Sequence, residues 1–252
     1  MRPTAALSIR LGPVLVVVLA LTGAGSTSGA DLADSEALQT LASQAPDLNP
    51  EVLKAALSAT DCAQHRYLPQ NRILTVIDYS LPSTEPRLWV FDLAKRELLF
   101  HELVAHGVNT GENLAIRFSN TAGTRQSSLG LFLTDTTYMG RNGYSLKLHG
   151  LEKDINHNAL QRAIVLHGAW YVSDAFHRQH GRLGRSWGCP AVDDDVARFL
   201  IDTIKDGSLL FIYYPDEDWL SSSDYLNACS SPGESQIFAG LQPRRSRSQG
   251  IE

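Results

Sequence analysis

The chain has 252 residues, 43% of them hydrophobic and 19% charged, an ordinary globular composition long enough for one good core and a small satellite. A formal charge of −5 gives no electrostatic case for nucleic acid as a partner.

The first thirty residues read as a targeting segment. Arg2 and Arg10 supply positive charge, Leu11 to Leu21 is almost wholly apolar, and Ser28-Gly29-Ala30 has the small-x-small form of a signal-peptidase site. An apolar run of about eleven residues is too short for an ordinary membrane-spanning helix. A signal peptide over 1–30 is therefore expected, with the mature protein starting near Asp31 outside the cytoplasm and no stable membrane anchor after cleavage. No cysteine lies near the cleavage region, which argues against a lipoprotein. Export also changes how Cys62, Cys189 and Cys229 are read. In an oxidising compartment an odd count leaves one thiol unpaired or intermolecular. Cys62 and Cys229 lie near the two ends of the mature domain and could bridge, sparing Cys189.

An N-terminal helical segment is expected over 31–70, with residues 35 to 66 helical. Asn49-Pro50-Glu51 is a start signal: Asn caps, Pro fits the first helical position, and Glu favours the first turn. From Arg72 the period becomes that of strands. Ile73 to Tyr79, Arg87 to Leu93 and Glu97 to Ala105 suggest a meander or hairpin, and Leu129 to Leu133, Ser145 to Leu148, Ala163 to Leu166 and Ser208 to Tyr214 continue the series. Ser173 to His180 allows a short helix. A second helix is well signalled, with Asp193, Asp194 and Asp195 at its start, Val196, Phe199, Leu200, Thr203 and Ile204 at helical spacing, and Gly207 at its end. The expected fold over 71–215 is mainly β, a β-sandwich or partly open barrel with a few peripheral helices. Residues 216–252 are expected to be a largely disordered extension, since Ser230 to Glu252 has too little apolar content to pack.

Chemistry concentrates in His167-Gly168-Ala169-Trp170 and in Arg185-Ser186-Trp187-Gly188-Cys189-Pro190-Ala191. His167 ends the apolar run Ala163-Ile164-Val165-Leu166, and a buried strand end holds a general base rigidly. Cys189 follows a glycine and precedes a proline, so it sits on a sharp connection. A free thiol is only a few per cent ionised at neutral pH, and a neighbouring imidazole can take its proton. Backbone N–H groups around Gly188 and Cys189 could then meet the oxyanion formed when the thiolate attacks a carbonyl, each worth about 3 kcal/mol of barrier. The plain alternative is a buried cysteine beside a hydrogen-bonded core histidine.

His167-Gly168 together with Ser186-x-Gly188-Cys189 resembles the signature of L,D-transpeptidase catalytic domains, the YkuD-like family. The Pro190-Ala191 that follows the cysteine is similar to its murein branch. Further stretches resemble that branch: Arg117-Phe118-Ser119-Asn120, Ser127-Ser128-Leu129-Gly130, Gly143-Tyr144-Ser145-Leu146, Gly150-Leu151-Glu152 and Gly181-Arg182-Leu183-Gly184-Arg185-Ser186. The likeness runs from about Ile73 to Tyr214.

The resemblance implies a reaction in which Cys189 is acylated by a peptidoglycan stem tetrapeptide at the L-centre of diaminopimelate, expelling D-alanine. An amine of a second stem peptide or of an acceptor protein then takes the acyl group. His167 would be the base and Cys189 the nucleophile, with Ser186 supporting the loop or the substrate, or merely stabilising a turn. The commoner motif has an arginine where this chain has Ala191. Arg185 and Arg182 are the nearest substitutes, unless they are ordinary solvated arginines. Trp170, Tyr171 and Trp187 could line a groove for peptide or sugar, or be core. His177 and His180 have the spacing of a metal pair but no clear third ligand, so no metal is expected. No role follows for His149, and acyl transfer by a thiolate implies no cofactor. Water in place of the amine would give an L,D-carboxypeptidase or a crosslink-cleaving hydrolase, and loss of thiol chemistry would leave a non-catalytic murein-binding module.

Overall fold

The structure, a computed structural model, describes residues 29–66 and 71–227. Two helices come first, α1 (Gly29–Gln44) and α2 (Pro50–Arg66). The Asn49 side chain accepts the Glu51 N–H at 2.9 Å, so α2 starts at the expected signal. Its apolar face, including Val52, Leu53, Ala56 and Ala59, is buried in the main core.

Eight strands follow: β1 (Ile73–Asp78), β2 (Leu88–Asp92), β3 (Glu97–Glu102), β4 (Gly130–Gly140), β5 (Gly143–Gly150), β6 (Val165–Gly168), β7 (Ala191–Val192) and β8 (Leu209–Tyr213). They form one sheet in the order β3-β2-β1-β8-β4-β5-β6-β7. β1 and β8 run parallel, as do β6 and β7, while the other neighbours are antiparallel. β2 and β8 are buried along their whole length and β1 almost so, which is why their sequences are continuous apolar runs without alternation.

The sheet curls into a nearly closed barrel. Just beyond β3, Ala105 exchanges two backbone hydrogen bonds with Ala191 of β7, at 2.8 and 3.3 Å. Small side chains let the two edges approach, and Ala105, Ala169, Val172, Leu183 and Ala191 form a separate apolar cluster along this seam. Of the two architectures expected, the barrel is the one that forms.

Helix α3 (Asp174–His180) is capped by Ser173 and stopped by Gly181 in the left-handed region. Helix α4 (Asp194–Ile204) takes its cap from Asp193, which accepts the Asp195 N–H, and buries Ala197, Leu200, Ile201 and Ile204. Of the extension expected from residue 216, the described part, residues 216–227, is mainly helical. Helices α5 (Glu217–Ser222) and α6 (Asp224–Asn227) bury Trp219, Leu220, Tyr225 and Leu226. Buried Glu152 accepts both the Trp219 indole N–H at 3.1 Å and the Leu131 N–H at 2.7 Å, fastening α5 to β4. Four large apolar side chains in so short a stretch are enough to pack.

Cys62 is disulfide-bonded and Cys189 is free. The expected partner Cys229, the rest of the tail and the residues before Gly29 expected to form a signal peptide lie outside the described residues. Among the described residues no helix is long and apolar enough to cross a membrane.

Candidate active site

His167 is the third residue of β6 and pairs in parallel register with Ala191 of β7. Cys189 lies two residues before Ala191, so the period of an extended chain sends both side chains toward one face. They meet at a cleft of about 590 Å³ whose walls also include Arg125, Arg141, Arg162, Tyr171 and Trp187. The 167 and 189 stretches, separate in sequence, are thus joined by the last strand pair of the sheet.

The turn that carries Cys189 is fastened from three sides. Buried Ser186 donates its hydroxyl to the Cys189 carbonyl at 2.6 Å and accepts the Gly188 N–H at 3.0 Å. The Ser186 backbone bridges to the segment beside Gly107, donating to His106 O at 3.0 Å and accepting from Val108 N at 2.8 Å. Ser127 donates to the Gly188 carbonyl at 3.1 Å and accepts the Gly107 N–H at 3.0 Å. Gly188 itself has φ +121°, and a Cβ there would stand 2.7 Å from Gln126 O. Ser186 is therefore a clamp for the turn. The Gly188 N–H, anticipated as an oxyanion donor, is spent on that clamp. The Cys189 N–H takes no part in that clamp and instead acts on its own sulfur.

Beneath the turn lies a buried cation. Arg87 is fully enclosed, gives hydrogen bonds to Leu81 O and Val104 O, and meets His106 Nδ1 at 2.9 Å. Burial lowers Arg87 to about 10, and burial with the Arg87 charge lowers His106 to about 3, so His106 is neutral. The segment that receives Ser186 is thereby tied to the β1–β2 connection.

His167 Nδ1 lies 2.7 Å from the Gly168 carbonyl. A carbonyl only accepts, so Nδ1 carries the proton in the neutral ring and Nε2 is the basic nitrogen. Burial holds His167 below its ordinary value, opposed by that carbonyl and by Asp194. Burial likewise pushes the Cys189 thiol up, opposed by the Val165 N–H and the Arg162 charge. Both shifts favour a resting pair of thiol and neutral imidazole. The sulfur rests 3.6 Å from the carbonyl of Ala163, a non-glycine residue held at φ +56°.

The remaining residues expected at the site divide. Trp187 and Tyr171 line the cleft, Trp187 largely exposed and Tyr171 half-buried with its hydroxyl pushed up to about 12 by burial and by Cys189. Trp170 is not among the cleft walls; it is 72% exposed and packs edge-on against Tyr171 and Phe176. Arg185 lines the cleft while Arg182 does not, and both are paired with Glu112, at 2.7 and 2.9 Å. His180 stacks on Phe176, and His177 lies 4.0 Å from Asp174. His149 pairs with Asp135 at 2.8 Å across the β4–β5 ladder.

Two contributors escaped the sequence reading. Ser127 lay unmarked within a stretch of family resemblance. Arg162 stands just before Ala163 and carries the charge nearest in effect to the thiol. It also donates to Ser119 O, to Ser128 Oγ at 2.5 Å and to Gln126 O at 2.7 Å, holding the loop that backs Gly188.

Comparison with known proteins follows the same lines. The sequence profile described as the L,D-transpeptidase catalytic domain matches residues 44–213, and the chain belongs to that family. No curated protein matches it. Among solved structures it is similar to an L,D-transpeptidase from Mycobacterium smegmatis, at 13% identity over 57% of this chain and 59% of that one, TM-score 0.36. It is similar to L,D-transpeptidase 1 of Mycobacterium tuberculosis, at 12% identity over 56% and 62%, TM-score 0.32. It is also similar to the helical cell shape determining protein Pgp2 of Campylobacter jejuni, at 9% identity over 74% and 61%, TM-score 0.40. The chain spans about three fifths of each of these structures.

Proposed function

We propose that this chain is an exported cysteine acyltransferase of the bacterial cell wall, an L,D-transpeptidase that acts on peptidoglycan stem tetrapeptides. The observation that supports it most is the pairing of a free thiol with an oriented, neutral imidazole in one cleft. As the Cys189 sulfur closes on the carbonyl between diaminopimelate and D-alanine, its proton passes to His167 Nε2. The tetrahedral oxyanion is met by the Cys189 N–H, a donor worth about 3 kcal/mol of barrier. Collapse breaks the C–N bond, the imidazolium returns its proton to the leaving amine, and D-alanine departs from the thioester. An acceptor amine then attacks, gives its proton to His167, and releases the sulfur, which recovers a proton as the new amide forms.

Incubation with a stem tetrapeptide and intact mass spectrometry test the reading. The expected result is an adduct on Cys189 equal to the donor less D-alanine, and none on Cys189→Ala, whose small side chain leaves the packing intact. Donor processing by that variant would overturn the assignment. Product analysis with and without an acceptor amine separates transfer from hydrolysis.

A further inference from the structure

The charge of the cleft is opposite to that of the chain. Four of its walls are arginines, Arg125, Arg141, Arg162 and Arg185, and none is a carboxylate, although the whole chain carries −5. Surface arginines ordinarily scatter and face water or an acidic neighbour. Here they converge from different places in the fold. Arg141 and its neighbour Asn142 form the tight turn between β4 and β5, and Arg125 sits on the loop behind Gly188 with its guanidinium 4.5 Å from the Trp187 ring centre. Arg162 precedes β6, and Arg185 opens the turn that carries Cys189. Glu112 neutralises Arg185 in part, while Arg162 spends its N–H groups on carbonyl and hydroxyl oxygens that leave its charge uncompensated. Among the described residues no carboxylate pairs with Arg125, Arg141 or Arg162.

We infer that this arginine rim is a carboxylate-binding site that selects the acyl donor, accepting a stem peptide whose side carboxylates are ionised and rejecting the same peptide with those groups amidated. The inference rests on the function proposed above and adds the chemical form of the substrate. Guanidinium groups suit the role because their planar N–H pairs match the two oxygens of a carboxylate, and an amide offers one acceptor oxygen and no charge. Arg162 and Arg185 are fixed by their hydrogen bonds and set a standing positive field. Arg125 and Arg141, exposed and without a carboxylate partner among the described residues, supply the N–H forks that close on the ligand.

Rates of Cys189 acylation by the free-acid and the diamidated tetrapeptide, read by intact mass, decide the matter. The free acid is expected to react about tenfold faster or more, an advantage that shrinks as salt is raised. Arg125→Gln, Arg141→Gln and their combination are expected to carry the ratio toward one, while Arg178→Gln, a charge-matched change on α3, keeps it. Alkylation by iodoacetamide, a neutral probe, reports whether the thiol itself is intact in each variant. Equal rates for the two donors on the unaltered enzyme, or an unchanged ratio in the double variant, would overturn the inference and leave the acyltransferase standing. No adduct with either donor would remove the acyltransferase and the inference with it.

Discussion

Arg162 joins the electrostatics of the thiol to the geometry of its loop. Its charge opposes the burial that raises Cys189, while its hydrogen bonds hold Gln126 and Ser128 behind the turn that carries Cys189. Arg162→Gln is expected to move the pH profile of iodoacetamide alkylation to higher pH, because the thiolate loses its nearest cation. Arg162→Lys restores most of the shift, which a purely structural role would not do. The unaltered protein has its own signature. A folded-state pKa for His167 below 6.5 keeps the ring basic through neutrality, so the acid limb of kcat/KM falls below that pH. A thiol above 9.0 means alkylation by iodoacetamide keeps rising through neutrality toward alkaline pH. Sequence setting singled out His167, at a strand end, and Cys189, between glycine and proline, and the structure brings the two to one cleft. Sequence setting was blind to Arg162 and Ser127, whose roles depend on backbone carbonyls that carry no residue-specific mark.

At the scale of elements, the turn that carries Cys189 is built on one glycine. Gly188→Ala places a methyl 2.7 Å from Gln126 O in a backbone region that alanine avoids. The expected cost is about 1–3 kcal/mol of stability, seen as a lower Tm, together with a loss of Cys189 acylation larger than that destabilisation explains. Unchanged acylation would mean the turn tolerates repositioning. The elements themselves were largely legible. β1, β2 and β8 announce themselves as apolar runs, α2 by Asn49-Pro50-Glu51 and α4 by its aspartates. β7 was not legible, because two residues have no period, and its place beside β6 follows only from the closure of the sheet. The later half of β4 was missed for a related reason. It runs on to Gly140 past a register shift between Thr134 and Thr137, and that far end is largely exposed, with no buried face to mark its period.

At the scale of the whole molecule, the helices at the two ends of the described chain pack on each other: α2 lies against α6 as well as against β1 and β8. The Cys62 disulfide belongs to this side of the molecule, away from the cleft. Cys62→Ser is expected to lower stability by about 2–4 kcal/mol, a fall in Tm read by circular dichroism. A Tm equal to the parent's would show that α2 packing alone carries this side. Sequence composition hid α5 and α6, since the polar tail beyond them masks the short apolar stretch at Trp219 to Leu226.

The seam between Ala105 and Ala191 sets a timetable as well as a shape. Strand pairs close to one another in sequence zip early, and a contact spanning so much of the chain waits until the intervening sheet exists. The thiol and the imidazole are brought together by a nearer contact, the β6–β7 pair that sets His167 beside Ala191, and the pairing of Leu74 with Leu209 spans still more of the chain than the seam does. Burial then raises Cys189, so its alkylation by iodoacetamide is expected to slow as the barrel closes over it, which a time course during refolding would read.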